Sequence, residues 1–571
     1  MLPPAVFALG LALLGLAGCG PERTLYVGGP VITLDAQERT AGALGVEGDR
    51  IAFVGSDAEG RRWADGRARV VDLGGRALLP GFIDAHGHFP GAGIYAVHVD
   101  LNSPPIGDIE RMDGLVARLR ERAAETPTGE WITGWGYDDT LLAEKRHPRR
   151  ADLDAASTDH PIALFHVSGH LMTTNSAALE LLGIDRETPD PEGGVIRRDV
   201  SGNPDGVFEE KATELVAGDL AQPGLLDAVA MAREADRLYL ASGTTTAQNG
   251  WAPVEHLTGL SWLSRLGLVD VRMVLWPGDL VALETLDGEF ELPAGNPPWV
   301  RMGAAKFVAD GSIQGYTGYL TRPYHVPPGD DPEYRGYPRI PRETLIENVS
   351  RLHAAGWQVA VHGNGDASID DILDAFEEAQ KRHPREDTRH IVIHAQMARD
   401  DQLDRMRELG VIPSFFLLHT YYWGDRHRDI FMGPERAARM SPARSAVDRD
   451  IRFTIHNDTP VVPMEPLRSV WAAVNRRSSS GAPIGPEQRI SVLQALRAVT
   501  IDAAYQHFED HEKGSLEVGK LADLVILSRS PLDDPEHIDE IGVVETIIGG
   551  ETVWRASSMP SASGSGSMPR D

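Results

Sequence analysis

Ala77-Leu78-Leu79-Pro80-Gly81-Phe82-Ile83-Asp84-Ala85-His86-Gly87-His88 is the stretch on which the fold turns. An apolar, strand-forming run passes through a Pro-Gly pair and ends in two histidines two residues apart. Side chains at i and i+2 of an extended segment leave the same face, so both imidazoles can reach one metal ion. With 20 histidines in 571 residues, roughly 0.7 such pairs would arise by chance. On the pair alone, two ordinary loop histidines are an equal reading.

Downstream, apolar and β-branched runs recur at residues 244–247, 271–275, 304–308, 358–361, 391–393, 412–416 and 451–455. Helical stretches lie between them, as at 342–355, 369–381 and 399–409. This alternation predicts a parallel sheet, with enough units for a closed (β/α)8 TIM barrel whose first strand is 77–84. Residues 24–80 and 513–556 instead carry short strands broken by Gly-Gly-Pro, Gly-Asp and Gly-Gly turns. The expected organisation is an α/β chain with a small β-sandwich domain drawn from both termini (20–80 and 513–556) around a barrel of 81–512. An insertion of about 100–235 follows the first strand, because so long a stretch exceeds a single crossover. The tail 557–571 reads as flexible, and no internal repeat is evident.

Polar residues collect at the ends of the predicted strands. Lys306 sits within 304–308, His362 closes 359–361, His394 closes 391–393, and Asp458 follows 453–455 by three residues, after His456 and Asn457. In a (β/α)8 barrel the C-terminal strand ends converge on one mouth, where active sites of that fold lie. Four histidines, a lysine and an aspartate from five strands are hard to explain structurally.

These motifs resemble the amidohydrolase superfamily, and within it the amidohydrolase-3 branch that includes N-substituted formamide deformylase-like proteins. Leu78–His88 matches the opening motif, and Gly514-Ser515-Leu516-Glu517-Val518-Gly519-Lys520-Leu521-Ala522-Asp523-Leu524 the C-terminal signature. Lys306–Ser312 and His362–Asp366 resemble the strand-four and strand-five motifs. The resemblance implies His86 and His88 on one divalent ion, His362 and His394 on a second, and Lys306 as a carbamylated bridging ligand made with CO2. It implies Asp458 as metal ligand and proton shuttle for a metal-activated hydroxide. A lysine ammonium cannot ligate a cation, whereas its carbamate is an anion with two oxygens; a Lys among metal-binding groups can also have its pKa lowered. The alternative keeps Lys306 uncarbamylated, as a substrate contact beside a single ion. One or two divalent ions are therefore expected, zinc by default, with iron, manganese or cobalt fitting the same ligands.

The chain departs from the branch where Ile393 precedes His394 in place of a frequent Glu. Ser414–His419 replaces a Gln-Pro-x-His run, and Tyr421–Asp425 is unlike the deformylase pattern, so no particular substrate is implied. In the insertion, Phe165–His170 resembles the branch's Gly-His element and makes His170 the candidate oxyanion-stabilising donor. A histidine satisfied within the insertion is the equal alternative. Trp135, His419, Tyr421, Tyr422 and Trp423 are the candidate substrate contacts, suggesting an apolar or aromatic portion.

The formal net charge of −29, without a basic stripe, argues against nucleic acid as partner. The expected partner is a small-molecule substrate, and homo-oligomerisation stays open. Cys19 is the one cysteine, so no intramolecular disulfide can form. The uncharged run 5–18, closing in Leu16-Ala17-Gly18 before Cys19, resembles a lipoprotein signal peptide (1–19) with Cys19 as the lipidated residue, placing the protein on a cell-envelope membrane. A plain secretory signal or a misplaced start codon is the alternative; residues 1–4 carry no Lys or Arg.

The leading expectation is a metal-dependent hydrolase of carbon–nitrogen bonds in amides, formamides or cyclic amides. The alternatives are the same metal site used for ester hydrolysis, deamination or isomerisation, and a non-catalytic ligand-binding lipoprotein. Neither Gly-x-Ser-x-Gly nor Gly-x-Gly-x-x-Gly occurs, which disfavours serine hydrolysis and dinucleotide chemistry.

Overall fold

The computed structural model describes residues 22–218, 220 and 224–557. Cys19 and its signal segment, and residues 558–571 of the tail, lie outside the described residues. No described helix is long and apolar enough to cross a membrane.

The run expected as one strand, 77–84, divides in two. Ala77–Pro80 pairs antiparallel with Leu524–Leu527, with Leu79 opposite Val525. Phe82–Ile83 pairs parallel with Thr244–Ala252. The hand-over is visible in the backbone: the Gly81 amide donates to the Asp523 carbonyl (2.9 Å), and the next amide, of Phe82, to Gly243 (3.0 Å). Pro80 has no amide to continue the first ladder.

Two sheets hold the chain ends. One runs in the order Arg50–Gly55, Ala43–Glu47, Arg23–Val27, Arg69–Asp72. The other runs Glu551–Arg555, Val543–Ile548, Leu524–Leu527, Ala77–Pro80, Val31–Ile32, Thr40–Ala41. Tyr26, Leu44, Leu78, Leu524, Ile526 and Ile547 form a core common to both.

The parallel strands form two arcs. Phe82–Ile83, Thr244–Ala252, Arg272–Pro277 and Val300–Met302 make the first. Ala305–Val308, Val359–Gly363, Ile391–His394, Ile412–Phe415 and Thr454–Ile455 make the second. The closed barrel expected from sequence is therefore absent as a continuous ladder among the described residues. The fourth strand breaks at Gly303-Ala304, leaving one piece in each arc, and the first and last strands are two residues long. Backbone contacts join the arcs at both seams. Gly278 bridges to Lys306; across the other seam the Asp458 amide donates to His86 (3.1 Å) and the His88 amide to Thr459 (2.8 Å).

Val274, Trp276, Ala304, Ala360, Ile391 and Ile393, from both arcs, share one apolar cluster. Helices cover the outside. Asp366–Arg382 turns Ile369, Ile372, Leu373 and Phe376 inward at helical spacing, each worth about 1.5–3 kcal/mol of apolar burial. The insertion carries its own mixed sheet, in the order Gly194–Arg198, Pro204–Glu210, Leu171–Thr174, Ile162–His166, Ile132–Tyr137, Val99–Asp100.

Candidate metal centre

Register explains how the polar groups meet. Val308 lies opposite His362, Gly363 opposite His394, and His394 opposite Phe415, so the two histidines emerge at one end of adjacent strands. Lys306 sits two residues deeper, opposite Ala360, and its four-carbon stem makes up the difference. Its Nζ lies 3.3 Å from His86 Nε2. Asp458 stands between both groups. Its Oδ1 is 3.5 Å from His86 Nε2 and 3.4 Å from His88 Nε2, and its Oδ2 is 3.9 Å from His394 Nε2. His394 Nε2 faces His362 Nδ1 at 3.1 Å. All six sequence-predicted ligands are thus brought together.

The backbone bends to achieve this. His394, Ala395 and Asp458 have φ of 70°, 44° and 56°, left-handed values that cost a non-glycine residue on the order of 1–3 kcal/mol each. Beside His86, any side chain at Gly250 would collide with the imidazole. Trp276 stacks on the other side of His86 at 5.8 Å between ring centroids.

Burial and cationic neighbours, Lys306 among them for His86 and His362, hold His86, His362 and His394 well below the usual histidine range. Neutral imidazole is the form that ligates. Burial lowers the Lys306 ammonium to about 8. Burial alone would raise Asp458, but His88, His456 and Lys306 outweigh it and keep the carboxylate ionised.

The donor set fits a cation. His86, His88 and Asp458 offer ligand atoms all within 4.8 Å of one another. Asp458 Oδ1 and His86 Nδ1 are sealed from solvent without a hydrogen-bond partner, an arrangement that buried polar atoms rarely keep without a role. The second nitrogens of two rings are already fixed: His362 Nε2 lies 3.2 Å from the Gly311 carbonyl, and His394 Nδ1 lies 3.1 Å from His456 Nε2. Such outer contacts orient metal-binding imidazoles.

With this geometry in view, the comparisons with known proteins are decisive. The profile of the amidohydrolase family matches residues 69–554. The chain belongs to the amidohydrolase family. N-substituted formamide deformylase of Arthrobacter pascens is 30% identical over 92% of this amidohydrolase and 97% of its own length. Protein LONG AFTER FAR-RED 3 of Arabidopsis thaliana is 28% identical over 93% and 91%. A metal-dependent hydrolase of Pyrococcus furiosus superposes with a TM-score of 0.68 at 25% identity, over 89% of this chain and all of that one. This amidohydrolase is accordingly an enzyme, a hydrolase of carbon–nitrogen bonds.

The remaining sequence candidates lie around the centre. His170 is near it, its ring 4.9 Å from that of His362. The buried His419 ring is 6.1 Å from His394. Trp135 is half-buried, packed on Phe165 at 5.4 Å, with its indole nitrogen sealed and unpartnered. Trp423 and Tyr422 spend their polar atoms within the protein: Trp423 Nε1 donates to Asp138 (3.1 Å) and the Tyr422 hydroxyl to Glu465 (3.1 Å). Tyr421 stacks edge-on against Trp471 at 5.7 Å. Two residues escaped the sequence reading. His456 links His394 to the Ser414 hydroxyl (2.8 Å); its place just past a strand end was the available signal. Glu210 accepts from His170 Nδ1 at 2.9 Å, and nothing local in the sequence marks it.

Proposed function

We propose that this amidohydrolase cleaves amides, formamides or cyclic amides at the strand-end cluster of a (β/α)8 barrel. His86, His88, His362, His394, Lys306 and Asp458 would hold one or two divalent ions, zinc by default. The observation that carries the reading is the unpartnered Asp458 Oδ1 between His86 and His88. When bound, the ions would acidify a water and polarise the scissile carbonyl. Asp458 takes the proton of the attacking water at this free oxygen and returns it to the leaving nitrogen. His170 is the candidate donor to the developing oxyanion, and Trp135 and His419 the candidate wall of the substrate site. A Lys306 amine lowered to about 8 keeps roughly a tenth of its population neutral at pH 7, the form that adds CO2 and releases a proton to give a carbamate, which could ligate the ions. Its 3.3 Å approach to His86 Nε2 equally suits the second reading, a free amine beside a single ion.

The test is metal content of the purified protein by mass spectrometry, an intact-mass search for one CO2 on Lys306 under non-acidic conditions, and hydrolysis of N-formyl and N-acyl arylamines. Near two ions with the carbamate supports the binuclear enzyme; near one without it supports the second reading. No metal after reconstitution, with no turnover, overturns the proposal. Lipid anchoring through Cys19 is a separate part of it. Labelling with radioactive palmitate in wild type but not in Cys19→Ala supports that part, and no label in either overturns it.

A further inference from the structure

We propose that Glu210 is the positioning residue for His170, and that the free Nε2 edge of His170 is where the insertion touches substrate. The second half rests on the hydrolase reading above. The two residues face each other across neighbouring antiparallel strands of the insertion, where Leu171 pairs with Glu209. The Glu210 amide donates to the His170 carbonyl at 2.9 Å, and the side chains meet again, His170 Nδ1 lying 2.9 Å from Glu210 Oε2. A backbone bond and a side-chain bond together fix both the place of the residue and the direction of its ring. With Nδ1–H committed to a carboxylate, Nε2 has no hydrogen-bond partner among the described residues.

Glu210 is built in at evident cost. It is 1% exposed, its backbone sits at φ 50°, ψ −124°, and its Oε1 is sealed without a partner. Gly311 of the strand-four loop packs so closely that any side chain there would strike this carboxylate. Arg339 Nη1 approaches Oε2 at 3.6 Å, and together with His170 it keeps Glu210 ionised against the effect of burial. A carboxylate placed only to staple the insertion would not need a strained backbone. Strain of this kind gathers where a side chain must be aimed, and outer-shell carboxylates aim imidazoles. The aim here is toward the centre: the His170 ring is 4.9 Å from the His362 ring and the side chain keeps 13% exposure.

The experiment compares wild type, Glu210→Gln, Glu210→Ala, His170→Gln and the double variant His170→Gln/Glu210→Gln as metal-loaded full chains. N-formyl-4-nitroaniline serves as the probe, with metal content and melting temperature measured on each. Glu210→Gln should lower kcat roughly 10–100-fold with KM and metal content near wild type. Glu210→Ala should fall further, and the double variant should be no slower than His170→Gln alone, since both act through one ring. Wild-type kcat in Glu210→Gln overturns the proposal. So do losses that add in the double variant, or losses that track metal or folded protein. A second readout needs no substrate. Nitrogen-15 imidazole NMR, with the His170 signal assigned by its absence in His170→Gln, should show Nδ1–H in wild type and lose that signature in Glu210→Ala. A wild type inert on the probe would thus count against the hydrolase reading, while the NMR result would still decide the role of Glu210.

Discussion

Two clusters in this molecule have nearly the same composition and opposite character. His86, His88 and Asp458 bring their ligand atoms within 4.8 Å of one another, and so do Asp138, Asp139 and His166 in the insertion. In the second cluster no side-chain polar atom is sealed from solvent without a hydrogen-bond partner. Asp138 receives Trp423 Nε1 (3.1 Å), Arg426 Nη1 (2.7 Å) and the Thr140 hydroxyl (2.6 Å). Asp139 faces His166 at 3.2 Å and His147 at 3.5 Å, and His166 Nδ1 is 2.8 Å from the Ser168 hydroxyl. The first cluster leaves Asp458 Oδ1 and His86 Nδ1 idle. Proximity alone therefore does not distinguish the candidate metal centre; proximity together with unpartnered buried ligand atoms does. The satisfied cluster fastens the insertion to the segment after the Ile412–Phe415 strand.

The largest effect that would break this contrast is metal removal. Chelation should abolish turnover, at least about 10³-fold, with recovery on adding back the ion. Elemental analysis should find at most two ions per chain, and a further ion lost in Asp139→Ala would make the two clusters equivalent. Next, Asp458→Asn should lower kcat by about 10²–10⁴ while barely shifting the melting temperature, as read by stopped assays and calorimetry. Asp138→Ala should do the reverse. It leaves Arg426 without its buried carboxylate, which costs about 3–5 kcal/mol in urea unfolding, with metal content unchanged. A loss under about 1 kcal/mol, the worth of an exposed pair, would show the cluster to be incidental.

The two clusters also act in different pH windows. In metal-free protein, Lys306 titrates at about 8 folded against 10.5 ordinarily. The unfolded chain then binds more protons between those values, and stability rises with pH across the window. Lys306→Met should flatten that rise. Arg426 and His166 outweigh burial and hold Asp138 below its ordinary 3.8. Its stability contribution is present above that value and lost as the pH falls beneath it, and Asp138→Asn should remove this part of the acid limb. Unfolding curves across pH measure both. The smallest effect is expected for Trp423→Phe, which deletes one donor to Asp138 and should cost about 1 kcal/mol.

The four histidines and Asp458 of the candidate ligand set were legible because each ends or follows a strand, and strand ends of parallel units converge whatever the intervening loops do. Lys306 was legible through its motif, though its reach from two residues deeper needed the register. His456 carried the same strand-end signal and was passed over, whereas Glu210 was not legible, because its partner His170 lies 40 residues away and no periodicity records such a pairing. Trp423 shows the converse limit. Its position near the mouth suggested substrate, but the direction of its indole depends on Asp138, 285 residues earlier in the chain. The first piece of the fourth strand, Val300–Met302, was not legible, because Arg301 and Gly303 interrupt the apolar pattern ahead of the 304–308 run.

One feature of the terminal sheets bears on how the molecule is made. The strand Ala77–Pro80 is held between Val31–Ile32 and Leu524–Leu527, the last of these far along the chain from it. Until it arrives, Leu78 and Leu79 present an open apolar edge, the kind of surface that invites wrong pairing during synthesis. His86 and His88 lie just past Phe82–Ile83, the strand that follows Ala77–Pro80, so these candidate ligands are anchored in part by a pairing distant in sequence. Completing the candidate pocket therefore depends on closing that long-range pairing.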